Sequence, residues 1–460
     1  MQTLKHPNPY SFKLEVAKNN SGATSFGGLP LLHKALKEIG LIDHMKDVFY
    51  LKGYLKEGGY QDHVILEAII LLMASGGKCF SDWEYLVSDP GFQKMFGACM
   101  SVDTLERYLK RLVVTEIVHD GTQGRVAFST LLEIIHKEMI SKAYELAGRP
   151  DKLTLDLDTS IFETTKSDAF FSYEMTRAYQ PFVAYCPELK MVIAHEFRDG
   201  NIAPQTGYRR VIERCLTLFP QVKWTVRSDS AGYAIKLMDW MESKRITFYV
   251  TADQFELMRE ILRKHLEWQT YVSGGIKTDQ ECAEIAYVTT FSSQEELKLR
   301  AKFMRFIAVR KLKTGQLEIG AGKYVYQVIA TNSLEKDLNI LLKTHWKRCG
   351  SVEYAHSQLK SGCGLKNFPS GDFNVNAAWF SLAVLTHNVL RFLQEHVLPE
   401  NLQNCEIQTL QFRFIRAAAW IKHKARQTVL RCSKNHPLYE IYRAALAKLD
   451  ALAYRLLQIA

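Results

Sequence analysis

The sequence has few features of a disulfide-bonded or zinc-binding protein. Its 9 cysteines are scattered along 460 residues, and no two of them form a Cys-x-x-Cys pair. Secreted domains pair their cysteines in even frameworks, and structural zinc sites place cysteines and histidines at short spacings. The cysteine pattern therefore predicts free thiols in a reducing compartment and argues against a zinc site.

The sequence also lacks a hydrophobic run long enough to cross a bilayer. Its most apolar segment, Val64–Ser75, carries Glu67 and is much shorter than the about 20 apolar residues that a membrane-spanning helix needs. The first residues, Met1–Pro9, lack the apolar centre of a signal peptide. There is no internal repeat and no low-complexity tract. These absences predict a soluble cytoplasmic protein with no membrane partner, in which Val64–Ser75 is a buried helix.

Basic residues outnumber acidic ones in this chain. It has 59 Lys and Arg against 49 Asp and Glu, which gives a formal net charge of +10. A basic surface attracts polyanions and accelerates their encounter with the protein. The length is that of about two to four structural units. The composition therefore favours a nucleic-acid partner for a protein of several parts.

Three acidic residues lie in three different local settings. Asp158 lies near the end of Leu153–Ser160, which alternates apolar and polar residues as a strand does. Asp229 lies near the end of a second strand-like segment, Trp224–Ser230, and Glu353 opens a segment with helical features. Hard divalent cations prefer oxygen ligands and are often held by a few carboxylates beside a phosphate. The pattern predicts a metal site for phosphoryl transfer built from Asp158, Asp229 and Glu353.

Asp156 is a further acid on the same predicted strand. Side chains two positions apart on a strand share a face, so Asp156 and Asp158 lie together, opposite Leu155 and Leu157. The chemistry alone leaves open which of the two acids is the metal ligand. As the alternative to metal binding, Asp156 hydrogen-bonds the end of a neighbouring helix.

The predicted secondary structure changes several times along the chain. Residues 1–150 are mainly helical in pattern, and residues from 151 show strands first and then alternating helices and strands, typical of a mixed α/β sheet. A β-rich stretch follows, with a hairpin-like pair at 303–313 and 316–319 and a further strand at Tyr324–Thr331. Beyond Glu353 the pattern predicts helices to the end of the chain.

Four ordered motifs resemble those of the DDE transposases of bacterial insertion sequences, and most closely those of the IS thirteen-eighty family. The similarity covers nearly the whole chain, because Ser81–Pro90 also fits it. The four motifs are Leu155–Ser160 with Phe197–Asn201, Val226–Tyr233, Trp346–Lys360, and Gly364–Pro369 with Asn376–Trp379.

The resemblance implies an α/β fold in which an RNase H-like catalytic core is interrupted by a β-rich insertion domain, with helical N-terminal and C-terminal regions. Asp158 would lie on the central strand, and Glu353 on a helix packed against the sheet. The implied parts are a helical DNA-binding region at 1–150, the core at 151–252 and 346–395, the insertion at 253–345, and a basic helical region at 396–460.

The resemblance also implies a function. Such an enzyme binds the terminal inverted repeats of an insertion sequence, cuts it out and joins it to target DNA by metal-dependent phosphoryl transfer. Two Mg²⁺ or Mn²⁺ ions would be held by Asp158, Asp229 and Glu353, with Asp156 as a candidate further ligand. The partners would be double-stranded DNA and a second copy in a synaptic dimer, and the bound enzyme would associate with the bacterial nucleoid. Two alternatives stay open: an RNase H-like nuclease without strand transfer, and a catalytically inactive DNA-binding derivative.

The residues around Glu353 depart from the wider group's Tyr, Arg, Glu and Lys signature. Glu353 and Lys360 match it, whereas Trp346 occupies the Tyr position and Cys349 the Arg position. Arg348, one residue earlier, is the candidate to supply the missing guanidinium. The resemblance implies that Lys360 and Arg348 bind phosphates. We expect Lys360 to be exposed, and the alternative is a surface lysine paired with a nearby acid.

Two further segments are candidates for DNA contact. The segment Arg413–Lys434 contains no acid, and its pattern predicts a helix with a basic face that carries Arg416, Lys422 and Arg426. A membrane-surface helix is the physical alternative. In related enzymes the DNA ends are freed through a hairpin, and by that analogy Trp268 would stack on a displaced base, with core packing as its alternative.

Overall fold

The protein is described by a computed structural model over residues 22–51, 59–120, 122–254, 256–285, 304–312, 324–425 and 427–459. A mixed sheet of 11 strands runs through this part of the chain, and helices pack against it. The strands, in their order across the sheet, are Gln269–Ser273, Ile276–Ile285, Arg305–Leu312, Tyr324–Thr331, Thr247–Thr251, Lys223–Ser228, Lys152–Thr159, Phe182–Cys186, Met191–Arg198, Thr122–Phe128 and Val114–Asp120.

The strand Lys152–Thr159 lies in the interior of this sheet. It pairs in parallel with Lys223–Ser228 and antiparallel with Phe182–Cys186, and Leu157 is opposite Ser228 in the register. Residues 155, 156 and 157 of the strand are all fully buried, so both of its faces are covered. Because parallel neighbours end at the same edge of a sheet, Asp158 and Asp229 meet there, as the sequence predicted.

The described residues of the stretch 253–345 contribute four strands that continue the same sheet. Tyr324–Thr331 pairs antiparallel with Thr247–Thr251, and Arg305–Leu312 pairs with both Tyr324–Thr331 and Ile276–Ile285. The predicted strands around 303–313 and at Tyr324–Thr331 are confirmed, while the hairpin partner at 316–319 lies outside the described residues. A separate hydrophobic cluster covers these strands, and it includes Tyr271, Ile307, Leu341 and Leu342.

The N-terminal region is mainly helical, as predicted, but it also contains an unpredicted hairpin. The hairpin's second strand pairs with Met191–Arg198 and so extends the main sheet. Its polar, partly exposed positions gave only a weak strand pattern. The helices of this region are Leu29–Glu38, Leu41–Leu51, Asp62–Ala74, Ser81–Val87, Pro90–Phe96, Val102–Arg111 and Thr130–Leu146.

A helix of 24 residues, Phe373–His396, joins the N-terminal helices to the sheet. It is buried on nearly all sides, and it packs against Asp62–Ala74, Val102–Arg111 and Met191–Arg198. Asn388 on this helix accepts a hydrogen bond from the Val192 amide at 3.0 Å and donates one to the Val192 carbonyl at 2.8 Å. A helix that is buried on nearly all sides is enclosed by other elements, and this one lies within a continuous hydrophobic core.

The prediction of a helical C-terminal region is wrong in part. Ala419–Lys424 and Gln427–Arg431 form an antiparallel hairpin, and Ala23–Thr24 adds a third strand to it. Ala419 and Ile421 are buried while Trp420 and Lys422 are exposed, which is the two-residue period of a strand. The apolar residues of Ala419–Lys424 have spacings that suit a helix as well as a strand. The pairing of this segment with Gln427–Arg431 and Ala23–Thr24 therefore determines its structure.

The remaining elements complete the description. A short strand pair is formed by Phe162–Glu163 and Ala178–Tyr179. No helix within the described ranges has both the length and the hydropathy to span a membrane. The other helices are Tyr208–Leu218, Ile235–Ser243, Glu256–Lys264, Leu338–Trp346, Val352–Gly362, Glu400–Gln403, Ile407–Leu410 and Tyr439–Ile459, with single turns at Ser230–Gly232 and Gln411–Ile415.

Candidate active site

Asp158 lies at the edge of the sheet among charged groups. Its side chain is 16% exposed, with the Arg348 Nη1 atom 3.8 Å from Oδ1 and the His356 Nε2 atom 3.6 Å from Oδ2. Burial raises the pKa of Asp158 to about 7; Arg348 opposes this rise, and Asp229 and Glu353 add to it. The structure therefore brings all three predicted acids within electrostatic range of one another.

Asp229 is held in a defined orientation where its strand ends. Its carboxylate accepts a hydrogen bond from the Ala231 amide at 3.1 Å and a longer one from the Tyr208 hydroxyl at 3.4 Å. The amide belongs to the turn Ser230–Gly232, which begins directly after Asp229. Both contacts leave the half-buried carboxylate with free lone pairs for a further partner.

Glu353 approaches the site from a helix. It is exposed in the first turn of Val352–Gly362, where the helix dipole favours a negative charge. Among the described contacts, no hydrogen bond or ion pair engages its carboxylate. Glu353 is thus free to bind a cation, and its helix packs against the strands Lys152–Thr159 and Phe182–Cys186.

Asp156 occupies a different environment from Asp158, although the two are only two positions apart. It is fully buried, and Arg227 forms a fork with it through Nε–Oδ1 at 2.5 Å and Nη2–Oδ2 at 2.7 Å. Ser351, which directly precedes the Glu353 helix, also donates to Asp156. Arg227 donates in addition to the Thr344 carbonyl at 2.8 Å. These contacts match the alternative in which Asp156 hydrogen-bonds the end of a neighbouring helix.

His356 and Arg348 complete the surroundings of Asp158. The His356 ring is buried, burial lowers its pKa to about 3, and neither ring nitrogen has a hydrogen-bond partner among the described residues. The ring is therefore neutral. The Arg348 guanidinium lies beside Asp158, and its Nε and Nη1 atoms likewise find no hydrogen-bond partner in the described structure. The sequence analysis missed His356, although its position three residues after Glu353 on a helix places the two on one side.

Lys360 is not the exposed residue that the sequence predicted. It is half-buried, and its Nζ donates to Ser160 Oγ and to the Ile161 carbonyl, both at 2.8 Å. The ammonium also lies 4.6 Å from the centre of the Phe162 ring. Burial lowers the pKa of Lys360, and the Asp158 charge acts against that shift. Lys360 lines a cleft of about 590 Å³ next to the end of the Asp158 strand, and it forms no ion pair within the described residues.

The departures from the signature have structural explanations. The Trp346 indole donates to Gln327 Oε1 at 3.0 Å and its ring meets Tyr271 edge-on, so it packs below the strands of the 253–345 stretch. Cys349 is exposed, whereas the Arg348 guanidinium lies at Asp158. Although the arginine lies one residue earlier than in the signature, its guanidinium still lies beside Asp158.

The other predicted DNA contacts lie in different settings. Arg416 donates to the carbonyls of Ser75 at 2.8 Å and Gly76 at 3.4 Å, directly after a helix end. Lys422 is exposed on the C-terminal hairpin, and Arg426 lies outside the described residues.

Trp268 has the contacts of a packed side chain. Its indole donates to the His265 carbonyl at 2.9 Å, and the Arg310 guanidinium lies 4.3 Å from the ring centre. It also packs against the main hydrophobic core. These contacts match core packing, the alternative to base stacking.

The donor chemistry of the site fits a hard divalent cation. No group of three or more His, Cys, Asp or Glu side chains in the described ranges is close enough to form a ready-made metal cage. The three carboxylates nevertheless offer only oxygen ligands, and Asp229 and Glu353 both raise the pKa of buried Asp158. Burial is the main cause of that rise and the two acids add to it, and a bound cation would stabilise the ionised Asp158 carboxylate.

Two aspartate substitutions should have opposite effects on stability. The pKa of Asp158 is about 7 in the folded protein against an ordinary value of 3.8, so the folded state loses stability as pH rises from about 4 to 7. At pH 8, without metal, Asp158→Asn should raise the free energy of unfolding by roughly 1–3 kcal/mol. Asp156→Asn should lower it by about 3–5 kcal/mol, because it leaves Arg227 buried without its partner.

Urea unfolding at pH 5 and pH 8 provides the measurement. The gain from Asp158→Asn should be larger at pH 8 than at pH 5, since the wild-type carboxyl is mostly protonated at the lower pH. A destabilising Asp158→Asn, or a neutral Asp156→Asn, would contradict this assignment of the two acids.

Comparison with known proteins agrees with the geometry. A comparison with curated protein sequences gives no match. A family profile described as "Transposase DDE domain group 1" matches residues 9–454, which is nearly the whole chain. The chain therefore belongs to the family of transposase DDE domains of group 1.

Proposed function

We propose that this transposase binds the terminal inverted repeats of an insertion sequence, cuts the element out and joins it to target DNA by metal-dependent phosphoryl transfer. One observation carries the proposal: Asp158, Asp229 and Glu353, from two strands and a helix, converge at one edge of the sheet. The motifs further suggest membership of the IS thirteen-eighty family.

The topology supports an RNase H-like core. Lys152–Thr159 is the first strand of the central five and lies in their middle. On one side, it continues into an antiparallel meander with Phe182–Cys186 and Met191–Arg198. On the other side, Lys223–Ser228 and Thr247–Thr251 run parallel to it. The helix that carries Glu353 packs against this first strand. On this interpretation, the four strands between Gln269 and Thr331 form the insertion, which grows from the edge strand Thr247–Thr251.

The three acids would hold two Mg²⁺ or Mn²⁺ ions, which when bound activate the attacking oxygen and offset charge on the leaving oxygen. The protein contributes the positions of the ligands. The Ala231 amide and Tyr208 orient Asp229, and the Asp156–Arg227 pair fixes the start of the Glu353 helix through Ser351. The neutral His356 ring covers one side of Asp158 without adding charge.

Arg348 and Lys360 are the proposed phosphate ligands. The Arg348 guanidinium has unused donors beside Asp158, and a guanidinium fork suits a phosphate. Lys360 holds its ammonium at the cleft between Ser160 and Ile161, where a phosphate oxygen would replace weaker neutral acceptors. Both side chains would therefore bind the strand whose phosphate is to be cut.

The DNA partner would also contact the C-terminal hairpin, and two DNA ends would be held in a synaptic dimer. Lys422 and Lys424 are both exposed on the strand Ala419–Lys424. The hairpin thus presents the basic surface that the sequence analysis assigned to a helix. Arg416 is left out of this surface, because its guanidinium bonds backbone carbonyls.

Removing any one of the three acids should abolish DNA cleavage. Asp158→Ala, Asp229→Ala and Glu353→Ala each delete a metal ligand but no phosphate contact. Cleavage of donor-end DNA in Mg²⁺ should therefore fall by about 100-fold or more, with DNA binding retained. The matched control is Asp151→Ala, which removes an exposed acid at the opposite end of the same strand, about 20 Å away.

The same reactions distinguish transposition from simple hydrolysis. With donor-end DNA and a target plasmid, the wild-type protein should yield joined products, whereas a nuclease would yield cut ends only. A triad variant that retains more than about a tenth of wild-type cleavage would remove its residue from the catalytic set.

Lys360 can be tested without confusing its charge with its packing. Lys360→Met keeps the apolar stem beside Phe162 but removes the ammonium. Cleavage should fall about tenfold or more, while the free energy of unfolding changes by only about 1 kcal/mol, the usual contribution of a lost hydrogen bond. Full cleavage activity in Lys360→Met would exclude Lys360 from phosphate binding.

Binding to long DNA should weaken steeply with salt. Replacing Lys422 and Lys424 with Gln should reduce the slope of log affinity against log salt by about two units, since each lost phosphate contact removes about 0.9. Fluorescence anisotropy from 50 to 300 mM salt measures the slope. An unchanged slope would mean that the DNA does not contact this hairpin.

A further inference from the structure

A short loop beside the acids exposes an unusual set of large apolar side chains. We name residues 170–177 the aromatic loop. Phe170 is 44%, Phe171 54%, Tyr173 66% and Met175 79% exposed. Single exposed apolar residues are common on proteins, but a contiguous group of this size usually marks a binding surface. The aromatic loop therefore requires a partner.

The aromatic loop is ordered, because hydrogen bonds hold it in a hairpin-like form. The Ala178 amide donates to the Phe170 carbonyl at 3.0 Å, and the Ser172 amide donates to the Thr176 carbonyl at 2.8 Å. Arg177 Nη1 donates to the carbonyls of Ser167 at 2.9 Å and Ala169 at 2.7 Å. The backbone is fixed so that the apolar side chains stay in solvent.

The loop forms part of the cleft next to the end of the Asp158 strand. Tyr173 and Glu174 line the same cleft of about 590 Å³ as Lys360, and Thr159, the residue after Asp158, lines it too. Burial and the charges of Glu174, Asp229 and Asp158 raise the pKa of Tyr173. Within the described part of the chain, no aromatic ring or cation covers the Tyr173 ring. An uncovered ring thus lies close to the proposed catalytic acids.

The charges that line the cleft indicate how a nucleic-acid strand would be oriented in it. Lys360 and Lys366 line the cleft from one segment of the chain. Glu174 lines it from the loop, and Glu163 lines it from the short strand that pairs with Ala178–Tyr179, directly after the loop. A carboxylate repels a phosphate, so the sugar-phosphate backbone should follow the lysines, and the bases should face the loop. Arg177 lies over the Phe171 ring at 4.8 Å, which adds positive charge at the base of the loop.

We propose that the aromatic loop is a stacking surface for unpaired bases, and that Tyr173 stacks on a base of the strand held in the cleft. Single-stranded nucleic acid is bound by the combination of basic side chains and exposed aromatic rings found here. Tyr173 is a positioning residue: it holds the strand end against the lysines while the phosphate lies at the acids. This inference rests on the proposed function, and it gives base stacking to Tyr173 where the sequence analysis gave it to Trp268.

Binding to two DNA probes tests the inference without requiring catalysis. One probe is a blunt duplex of 20 base pairs, and the other is the same duplex with a single-stranded tail of five thymidines. The wild-type chain should bind the tailed duplex more tightly. Tyr173→Ala should weaken binding to the tailed duplex about ten- to 100-fold, as expected for the loss of one stacked base, and change binding to the blunt duplex about twofold or less.

Two variants serve as controls. Tyr173→Phe retains the ring and should keep the preference for the tail. Tyr50→Ala removes another tyrosine that is also 66% exposed but lies on the helix Leu41–Leu51, and it should bind both probes as the wild type does. In a parallel assay, 2-aminopurine placed in the tail should be quenched on binding to wild type and Tyr173→Phe, but not to Tyr173→Ala.

Several results would overturn the inference. These are a wild-type chain without preference for the tail, a Tyr173→Ala variant that keeps the preference, and a Tyr173→Phe variant that loses it. Equal weakening of both probes by Tyr173→Ala would also overturn it, because a stacked base exists only in the tailed duplex. Metal-dependent cleavage by the wild type is measured separately, so failure of the proposed function stays distinguishable from failure of the stacking role.

Discussion

The edge of the sheet at which the three acids lie depends on one buried ion pair. Asp156 and Arg227 join neighbouring parallel strands, and the same pair reaches Ser351 and the Thr344 carbonyl on either side of the connection between two helices. Breaking a buried pair leaves a charge uncompensated, so this contact constrains both strands and the start of the Glu353 helix together. The pair therefore links the strand of Asp158, the strand that leads to Asp229 and the start of the Glu353 helix.

Asp156 and Asp158 lie two positions apart on one strand, but their carboxylates have different partners. Asp156 has a guanidinium and a hydroxyl as partners, so its charge is satisfied inside the protein. Asp158 lies beside the more distant Arg348 and a neutral His356, and burial together with two further acids raises its pKa. Functional sites tolerate such unfavourable charge because a ligand relieves it. Asp156 thus stabilises the scaffold, and on the proposed function Asp158 would be the acid that binds a cation.

The sequence allowed much of the sheet and the acid positions to be predicted. The strands at Asp158 and Asp229 have a clear apolar and polar alternation, and Glu353 opens a helix, so local pattern was sufficient. The C-terminal hairpin was mistaken for a helix, because its strand character depends on pairing with Ala23–Thr24, far away in the chain. Lys360, predicted to be exposed, and Arg227, not predicted, depend in the same way on contacts between distant segments. No local pattern encodes such contacts.

The central claim is that the three acids bind a divalent cation, and calorimetric titration with Mn²⁺ in the absence of DNA tests it most directly. A proton on Asp158 competes with the metal, and its pKa is about 7. The wild-type affinity should therefore rise between pH 6 and pH 8, by up to about tenfold per unit below the pKa. Asp158→Asn should bind far more weakly at both pH values. Mn²⁺ binding that is equal in wild type and Asp158→Asn at pH 8 would contradict the account.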